Sequence, residues 1–449
     1  MRYLEMVVSK MVDTHSYNKL KDSGIDWIGY IPESWNVRTL YQLVTQVKCK
    51  NSELKENNLL SLSYGKIKRK DINSNEGLLP ASFDGYNIIE AGDIVLRLTD
   101  LQNDHTSLRV GLSTERGIIT SAYTTLRPIN ARHSKYIYYL LHAFDLKKGF
   151  YGMGSGVRQG LNYDEVKELR VVLPSDTEQD VITTYLDKQC EQIDSIIDEA
   201  KTSIEEYKTW KESIIYEAIT KGLDPSAKMK DSGVVGIGMI PESSNVIRLR
   251  YLIEGYKAGT FGSALITEKL LQTGRILVYT PEHVANQSTL SENNLYLPDD
   301  REAEMSQFLV EKGDIVFPIV GSLGRAMLIT DEMPKGIINQ RLAKFKLLSE
   351  KIDVDYFMWI FAKSTLLAPY IEINCRGSFI VNLTKAIVYD MPIVLPKSMD
   401  EQKKIASYLN DKCSIIDELI NEKAKLIADL ESYKRSLIYE TVTGKRKVV

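Results

Sequence analysis

The sequence predicts an α+β protein: two pseudo-two-fold related α+β domains separated by two long coiled-coil helices. Three observations predict it. The first is a tandem repeat. KDSGIDWIGYIPESWNVRTL (Lys21 to Leu40) returns as KDSGVVGIGMIPESSNVIRL (Lys230 to Leu249), with 13 identities in 20 positions. The second is a patchwork of short apolar runs broken by Gly, Pro, Asn and Asp over residues 21–175 and again over 230–397. The third is a pair of stretches, 176–220 and 399–443, with no internal glycine or proline and an apolar residue every 3.5 positions on average. A repeat must be sought first, because missing it mis-assigns the whole fold.

The repeat continues in constant order. EAGDIV (from Glu90) returns as EKGDIV (from Glu311), GIIT (Gly117) as GIIN (Gly336), and VVLP (Val171) as IVLP (Ile393). YLDKQCEQID (Tyr185) returns as YLNDKCSIID (Tyr408), and SIIYE (Ser213) as SLIYE (Ser436). DIVLRL, GIITSAYTTLRP, ELRVVLP, RILVYT, DIVFPIV and MPIVLP have the length and β-branching of strands. YIYYLLHAFDL and YFMWIFAKSTL are read as short amphipathic helices. In the long stretches Ile193, Ile197, Ala200, Ile204, Tyr207 and Ile214 line one seam; Ile416, Ile420, Ile427, Leu430 and Leu437 line the other. A 3.5-residue repeat marks a coiled-coil seam. Two equivalent seams in one chain most simply pair with each other. Gly222 and Gly444 end these helices, and a helix of about 43 residues is about 64 Å long. The organisation is a tail (1–20), a first domain (21–175), a first spacer helix (176–222), a linker with the second domain (223–397), and a second spacer helix with a tail (398–449). Met1, Met6 and Met11 are all possible starts.

With 43% hydrophobic residues, 26% charged and a net charge of −3, the chain has material for buried cores. The balance argues against indiscriminate coating of nucleic acid by bulk charge. The four cysteines form no C-x-x-C pair and no zinc-type spacing with the five histidines, which predicts reduced thiols and no metal site. The N-terminus lacks a signal-peptide core and no apolar run approaches the ~20 residues of a membrane span. A soluble, cytoplasmic protein without membrane contact is expected.

ITKGLDPSAKMKDSGVVGIGMIPES (Ile219 to Ser243), KDSGIDWIGYIPESW, the LP-SDTEQ and LP-KSMDEQ entries to the long helices, and GDIVFPIVGSLGRAMLI (Gly313 to Ile329) together resemble the specificity subunit of Type I DNA restriction-modification enzymes. The resemblance covers the chain after about residue 15. It implies two target-recognition domains, each reading one half of a split double-stranded DNA sequence, with the helices packed antiparallel as a spacer. It also implies two methyltransferase subunits as partners, and restriction subunits for cleavage. S-adenosylmethionine, ATP and Mg would belong to those partners, with no cofactor in this chain. The second KDSG block departs from the first by losing both aromatics, Trp27 to Gly236 and Trp35 to Ser244.

Catalytic readings find no support in the motifs. The chain has no Pro-Pro for an adenine-methyltransferase loop and no G-x-x-x-x-G-K-[ST]; GMGSGVRQG (Gly152 to Gly160) has the wrong spacing for a dinucleotide fingerprint. No catalytic residue is assigned. For DNA contact the signal is basic and polar residues in loops. Between Lys48 and Lys70 lie seven basic residues against two acidic ones, with Ser63, Tyr64, Lys66, Lys68 and Arg69 close together in SLSYGKIKRK. The alternation of KIKRK is equally that of a strand with one solvated face. Arg97, Thr99 and Asn103 follow the first GDIV strand, and Ser155, Arg158 and Gln159 lie in GSGVRQG. The second domain offers Tyr279, Thr280 and Glu282, then Ser322 and Arg325, Gln340 and Arg341, and Arg376 and Ser378. Arginine suits guanine, glutamine adenine and glutamate cytosine.

Trp27, Ile28, Ile31 and Pro32, with Ile237, Ile240 and Pro241, are candidates for docking two copies of one partner. The alternative is that they close each domain against the base of a helix. A rival function is a duplicated coiled-coil scaffold whose α+β domains bind protein rather than DNA.

Overall fold

The computed structural model describes residues 17–448 apart from 53, 74–79, 81, 102, 105, 154–159, 260–269, 322–323 and 376–381. The chain divides into two units that cut across both long helices. One unit runs to Lys201 and resumes at Ala424; the other is Thr202–Lys423.

In the first unit the KDSG phrase is a hairpin. β1 (Leu20–Asp22) pairs antiparallel with β2 (Tyr30–Pro32). Asp22 Oδ1 accepts the Gly24 N–H at 2.9 Å, Ser23 Oγ accepts the Ile25 N–H at 3.1 Å, and the Ser23 N–H reaches the Gly29 carbonyl at 3.1 Å. Short side-chain oxygens mimic the backbone acceptors of a turn, which is why the phrase reads Asp-Ser-Gly. β3 (Asn36–Thr39) then pairs with β12 (Arg170–Leu173), the strand that leads into the first long helix.

The body of the unit is a four-stranded antiparallel sheet in the order β4 (Val44–Gln46), β11 (Thr124–Pro128), β8 (Ile94–Leu96), β9 (Val110–Leu112). Between β4 and β8 the chain inserts a hairpin, β5 (Leu60–Ser63) with β6 (Lys66–Arg69), and β7 (Asn87–Ile89), which pairs with β10 (Gly117–Ile119). The expected helix is present as Ser134–Leu146, burying Tyr136, Ile137, Leu140 and Leu141. The GD of GDIV is structural. Asp93 accepts the Glu90 N–H at 2.8 Å and both oxygens bind Arg127, at 2.7 and 2.6 Å.

The second unit repeats this scaffold. β13 (Met229–Asp231) pairs with β14 (Met239–Pro241), and β15 (Ser244–Arg248) with β23 (Pro392–Pro396). β16 (Ile253–Ala258), β22 (Leu342–Leu347), β19 (Asp314–Pro318) and β20 (Met327–Leu328) form the same antiparallel order of four. Asp314 again accepts a backbone N–H, that of Glu311 at 2.8 Å, and takes Lys344 Nζ at 2.7 Å. The second short helix is Val354–Phe361. The insertion is different: β17 (Ile276–Tyr279) lies between β18 (Tyr296–Leu297) and, in parallel, β21 (Gly336–Ile338).

The long helices are Asp176–Lys221 and Met399–Val442. Each opens on a buried glutamine from the LP…EQ phrase. Gln179 Nε2 donates to the Pro174 carbonyl at 3.0 Å; Gln402 Nε2 donates to Pro396 at 3.1 Å while its Oε1 accepts the Asp353 N–H at 2.8 Å. Within the first unit Lys434 Nζ reaches both oxygens of Asp194, at 2.6 and 2.7 Å, and Arg446 lies against Tyr185. The helices therefore run antiparallel there. Within the second unit Lys211 pairs with Asp417 at 2.6 Å and Gly222 lies beside Glu401, which gives the same direction. Of the expected seam, Ile193, Ile197, Ala200, Ile416, Leu430 and Leu437 are buried, and Ile204, Tyr207, Ile214, Ile420 and Ile427 are half-buried. Among the described residues no helix is long and apolar enough to cross a membrane.

Each hairpin closes on a helix end. In the first unit Tyr439 Oη donates to the Trp27 carbonyl at 2.9 Å, and a Cβ on Gly444 (φ +72°) would stand 2.3 Å from Pro32. In the second, Tyr216 Oη donates to the Ile237 carbonyl at 2.9 Å, with Gly222 (φ +72°) against Pro241. The first hairpin is thus completed by the last residues of the chain.

His142, on the helix Ser134–Leu146, is buried and stacked on Tyr138. Burial, with Lys434 nearby, pushes its imidazole down to about 4, whereas burial pushes the Asp145 carboxyl up to about 6. Below pH 6.5 the unfolded chain protonates this histidine and the fold does not, so stability falls as pH drops towards 4. Asp145 acts oppositely, since the fold holds its proton below about pH 6 and the unfolded chain does not until about 3.8. His142→Asn should remove the histidine contribution, about 3 kcal/mol by pH 4, so that stability of this unit rises relative to wild type as pH falls. Thermal unfolding at a series of pH values checks it; an unchanged pH slope contradicts it.

Candidate nucleic-acid interface

SLSYGKIKRK is the β5–β6 hairpin, in register Ser63 opposite Lys66. Its two-residue turn is Tyr64 (φ +47°) and Gly65 (φ +76°). Positive φ at both central residues is the I′ geometry that matches strand twist. Tyr64 stands at the tip, 74% exposed. Lys66 and Lys68 are exposed; Lys66 Nζ lies 3.9 Å from Asp194 of the first long helix. Arg69 is already engaged, with Nε at 2.9 and 2.7 Å from the Glu115 oxygens. Tyr64 and Lys66 share a cleft of about 520 Å³ with Thr106 and Lys201.

Beyond β8, the chain runs through the loop 97–108 to β9. Leu98 and Leu101 point into the core and leave Thr99, Asp100 and Asn103 exposed. Thr99, Asp100, Asn103 and Gly160 line a second cleft of about 500 Å³. Asn103 Nδ2 donates to Asp100 Oδ1 at 2.8 Å, and Arg97 lies 3.6 Å from Asp104. The fold thus brings Thr99 and Asn103 together, and Tyr64 with Lys66. Ser155, Arg158, Gln159, Ser322, Arg376 and Ser378 lie outside the described residues.

In the second unit the candidates converge through the parallel pair β17–β21. Tyr279 faces Ile338 in register, so Thr280–Glu282 and Asn339–Arg341 leave the sheet at the same edge. Arg325 Nη1 donates to the Ala285 carbonyl, in the short helix that begins just after Thr280, at 3.2 Å. The Ile319 N–H, just past β19, reaches the Arg341 carbonyl at 2.9 Å. Glu282, Arg325, Gln340 and Arg341 are all exposed there. Tyr279 is different. It is fully buried, with its hydroxyl donating to the Pro334 carbonyl at 2.7 Å, and burial pushes it up to about 12. It is a core residue, and Thr280 caps the short helix, its N–H bound to His283 Nδ1 at 3.0 Å.

The docking candidates also sit inside. Ile28, Ile31, Pro32, Ile237, Ile240 and Pro241 are buried and Trp27 is half-buried, because the helix ends cover them. They close each domain against the end of a helix, the second of the two expected roles, and only Trp27 among them keeps part of its surface exposed. Tyr30 and Met239, at matching places in the two hairpins, are the exposed ones, at 62% and 49%.

Sequence reasoning passed over Arg109. This arginine lies buried behind the loop 97–104, and the chain shows no local pattern that marks it.

Because Arg69 is held by Glu115, Lys68→Gln should lower the slope of log K against log salt in DNA titrations by about one. Arg69→Gln should leave that slope nearly unchanged. Equal changes for both would contradict the assignment.

Residues 32–206 and 257–428 match the Type I restriction modification DNA specificity domain, which therefore occurs twice. The chain is 24% identical over 417 residues to the Type I restriction enzyme MjaVIII specificity subunit of Methanocaldococcus jannaschii, covering 87% of this chain and 88% of that one. Its fold is similar to a chain solved in work on complex assembly and conformational transition of the type I R-M system, with TM-score 0.67 and 13% identity over 92% of this chain and 98% of that one. It is also similar to the HsdS subunit from Thermoanaerobacter tengcongensis, with TM-score 0.50 and 13% identity over the same shares. With the repeated scaffold and the two matched domains, the chain belongs to the family of Type I restriction-modification DNA specificity subunits.

Proposed function

We propose that each specificity domain reads one half of an asymmetric, split sequence in double-stranded DNA, and that the paired helices fix the number of base pairs between the halves. One observation carries this reading. The same four-stranded scaffold occurs twice, but the chain inserted before its GDIV strand differs: the β5–β6 hairpin and β7, antiparallel to β10, in one copy, and β17, parallel to β21, with the helix Pro281–Asn286 and β18 in the other. Identical scaffolds with different loops suit two different half-sites. Phosphate contacts from lysines such as Lys68 would position each domain, while Arg325, Arg341, Gln340 and Glu282 have the chemistry of base readers.

Methyl transfer and cleavage belong, on this reading, to partner subunits: two methyltransferase copies, and restriction subunits that use ATP and Mg. S-adenosylmethionine would sit in the methyltransferases. The matching exposed positions Tyr30 and Met239 suit two equivalent docking points. The relative named for complex assembly of a type I R-M system supports such partners. The family membership favours DNA over the scaffold alternative.

Exchanging residues 21–175 for the equivalent domain of a related subunit should alter one half of the methylated sequence, read by mapping modified adenines; a change in both halves refutes modular reading. Inserting four residues into each long helix adds about 6 Å. The gap between half-sites should then lengthen by one or two base pairs, and an unchanged gap removes the ruler role.

A further inference from the structure

Arg109 immediately precedes β9 and is completely buried. All five of its guanidinium hydrogens are placed. Nε donates to Tyr151 Oη at 3.0 Å. Nη1 donates to the carbonyls of Arg97 at 3.1 Å and Thr99 at 2.8 Å, and Nη2 to those of Asp100 at 3.2 Å and Asp104 at 2.6 Å. Its own N–H donates to Asp145 Oδ2 at 2.6 Å. The Tyr151 ring lies 4.9 Å from the guanidinium carbon, and its hydroxyl donates to the Asp104 carbonyl at 2.9 Å.

A planar guanidinium offers five donors in a fixed fork, a geometry that lysine cannot copy. Here four of the five hold one loop by its backbone. That loop contains Asp100 at φ +58°, a conformation most residues avoid and keep only when the surroundings enforce it. The side chains it turns outward, Thr99 and Asn103, line the cleft beside Gly160.

Among the described residues the second domain shows no such clamp. Counted from the strand that faces GDIV, Arg325 stands where Arg109 stands, yet it is exposed and holds one carbonyl, that of Ala285. Tyr136 and Tyr356 occupy matching places, donating to Val172 and Val394 on equivalent strands. Nine residues beyond them stand Asp145 and Thr365 respectively. A cavity of about 430 Å³, lined by Phe317, Phe361, Thr365 and Leu367, lies beside Arg325.

We infer that Arg109 is the positioning residue for the loop that reads the first half-site, setting the backbone from which Thr99 and Asn103 reach the bases without touching DNA itself. This rests on the proposed reading of split DNA. The matching arginine of the second domain is turned outward and free of that duty, so loss of the clamp affects one half-site.

The test uses the full chain in complex with its methyltransferase partner, on duplexes carrying single-base changes in each half. Arg109→Met should reduce discrimination in the first half-site about ten-fold, one base contact's worth. Discrimination in the second half should be unchanged, with KM for the intact site raised and kcat kept. Arg109→Lys should fall between wild type and Arg109→Met. A folded Arg109→Met that discriminates like wild type, or that loses both halves equally, overturns the inference. If Arg109→Met fails to fold, Tyr151→Phe decides: about three-fold loss confined to the first half supports the clamp, and wild-type discrimination overturns it. A wild-type complex with no preference for any split sequence instead overturns the DNA reading on which the inference rests.

Discussion

Neither domain of this protein is finished by its own stretch of chain. The first hairpin, β1–β2, closes on Tyr439 and Gly444, more than 400 residues away in sequence, while the second closes on Tyr216 and Gly222. The repeat is therefore cyclic: a long helix, then a KDSG hairpin, then a domain. In the first copy the preceding helix is supplied by the far end of the chain. The antiparallel pairing held by Lys434–Asp194 and Lys211–Asp417 makes this possible, since it brings each helix end back to a hairpin of the same unit. Burial of Ile31, Trp35, Leu437 and Val442 in one core supplies the driving force.

This closure explains which residues repeat. Asp-Ser-Gly makes a turn, the GD aspartates pin the start of a strand to a cation, and the LP…EQ glutamines brace each helix start. All are local devices of one scaffold, so both copies keep them. The inserted chain between equivalent strands has no such duty and differs in architecture. On the proposed reading, recognition belongs to that differing layer, carried on the repeated scaffold.

The repeat, the strands and the long helices were legible because each leaves a periodic or duplicated signature. The strand alternation of KIKRK was legible for the same reason, whereas its place in a hairpin turning at Tyr64 and Gly65 was not. What could not be read was orientation. Tyr279 ends a strand two residues before a proline, at the mouth of a loop, yet its ring is core: it lies over Gly336 in the cluster of Val284, Leu297, Ile337 and Ile338. That Trp27 and Ile28 close the domain against the base of a helix was one of the two readings; that this helix is the one from the opposite end of the sequence was not legible. Arg109 was invisible for a related reason. Its carbonyl partners lie 5 to 12 positions away and its acidic neighbour 36 positions away, separations with no sequence pattern. Local chemistry is written locally, whereas a buried side chain's role is set by what folds over it.

The claim on which these features converge is that the chain's last residues complete its first domain. Amide hydrogen exchange of the chain truncated after Lys423, compared with the full chain, tests it most directly. Loss of protection at β1, β2 and the helix segment 182–197, with protection kept at β15 and β23, is the predicted result. Unchanged protection at β1 and β2 would contradict it.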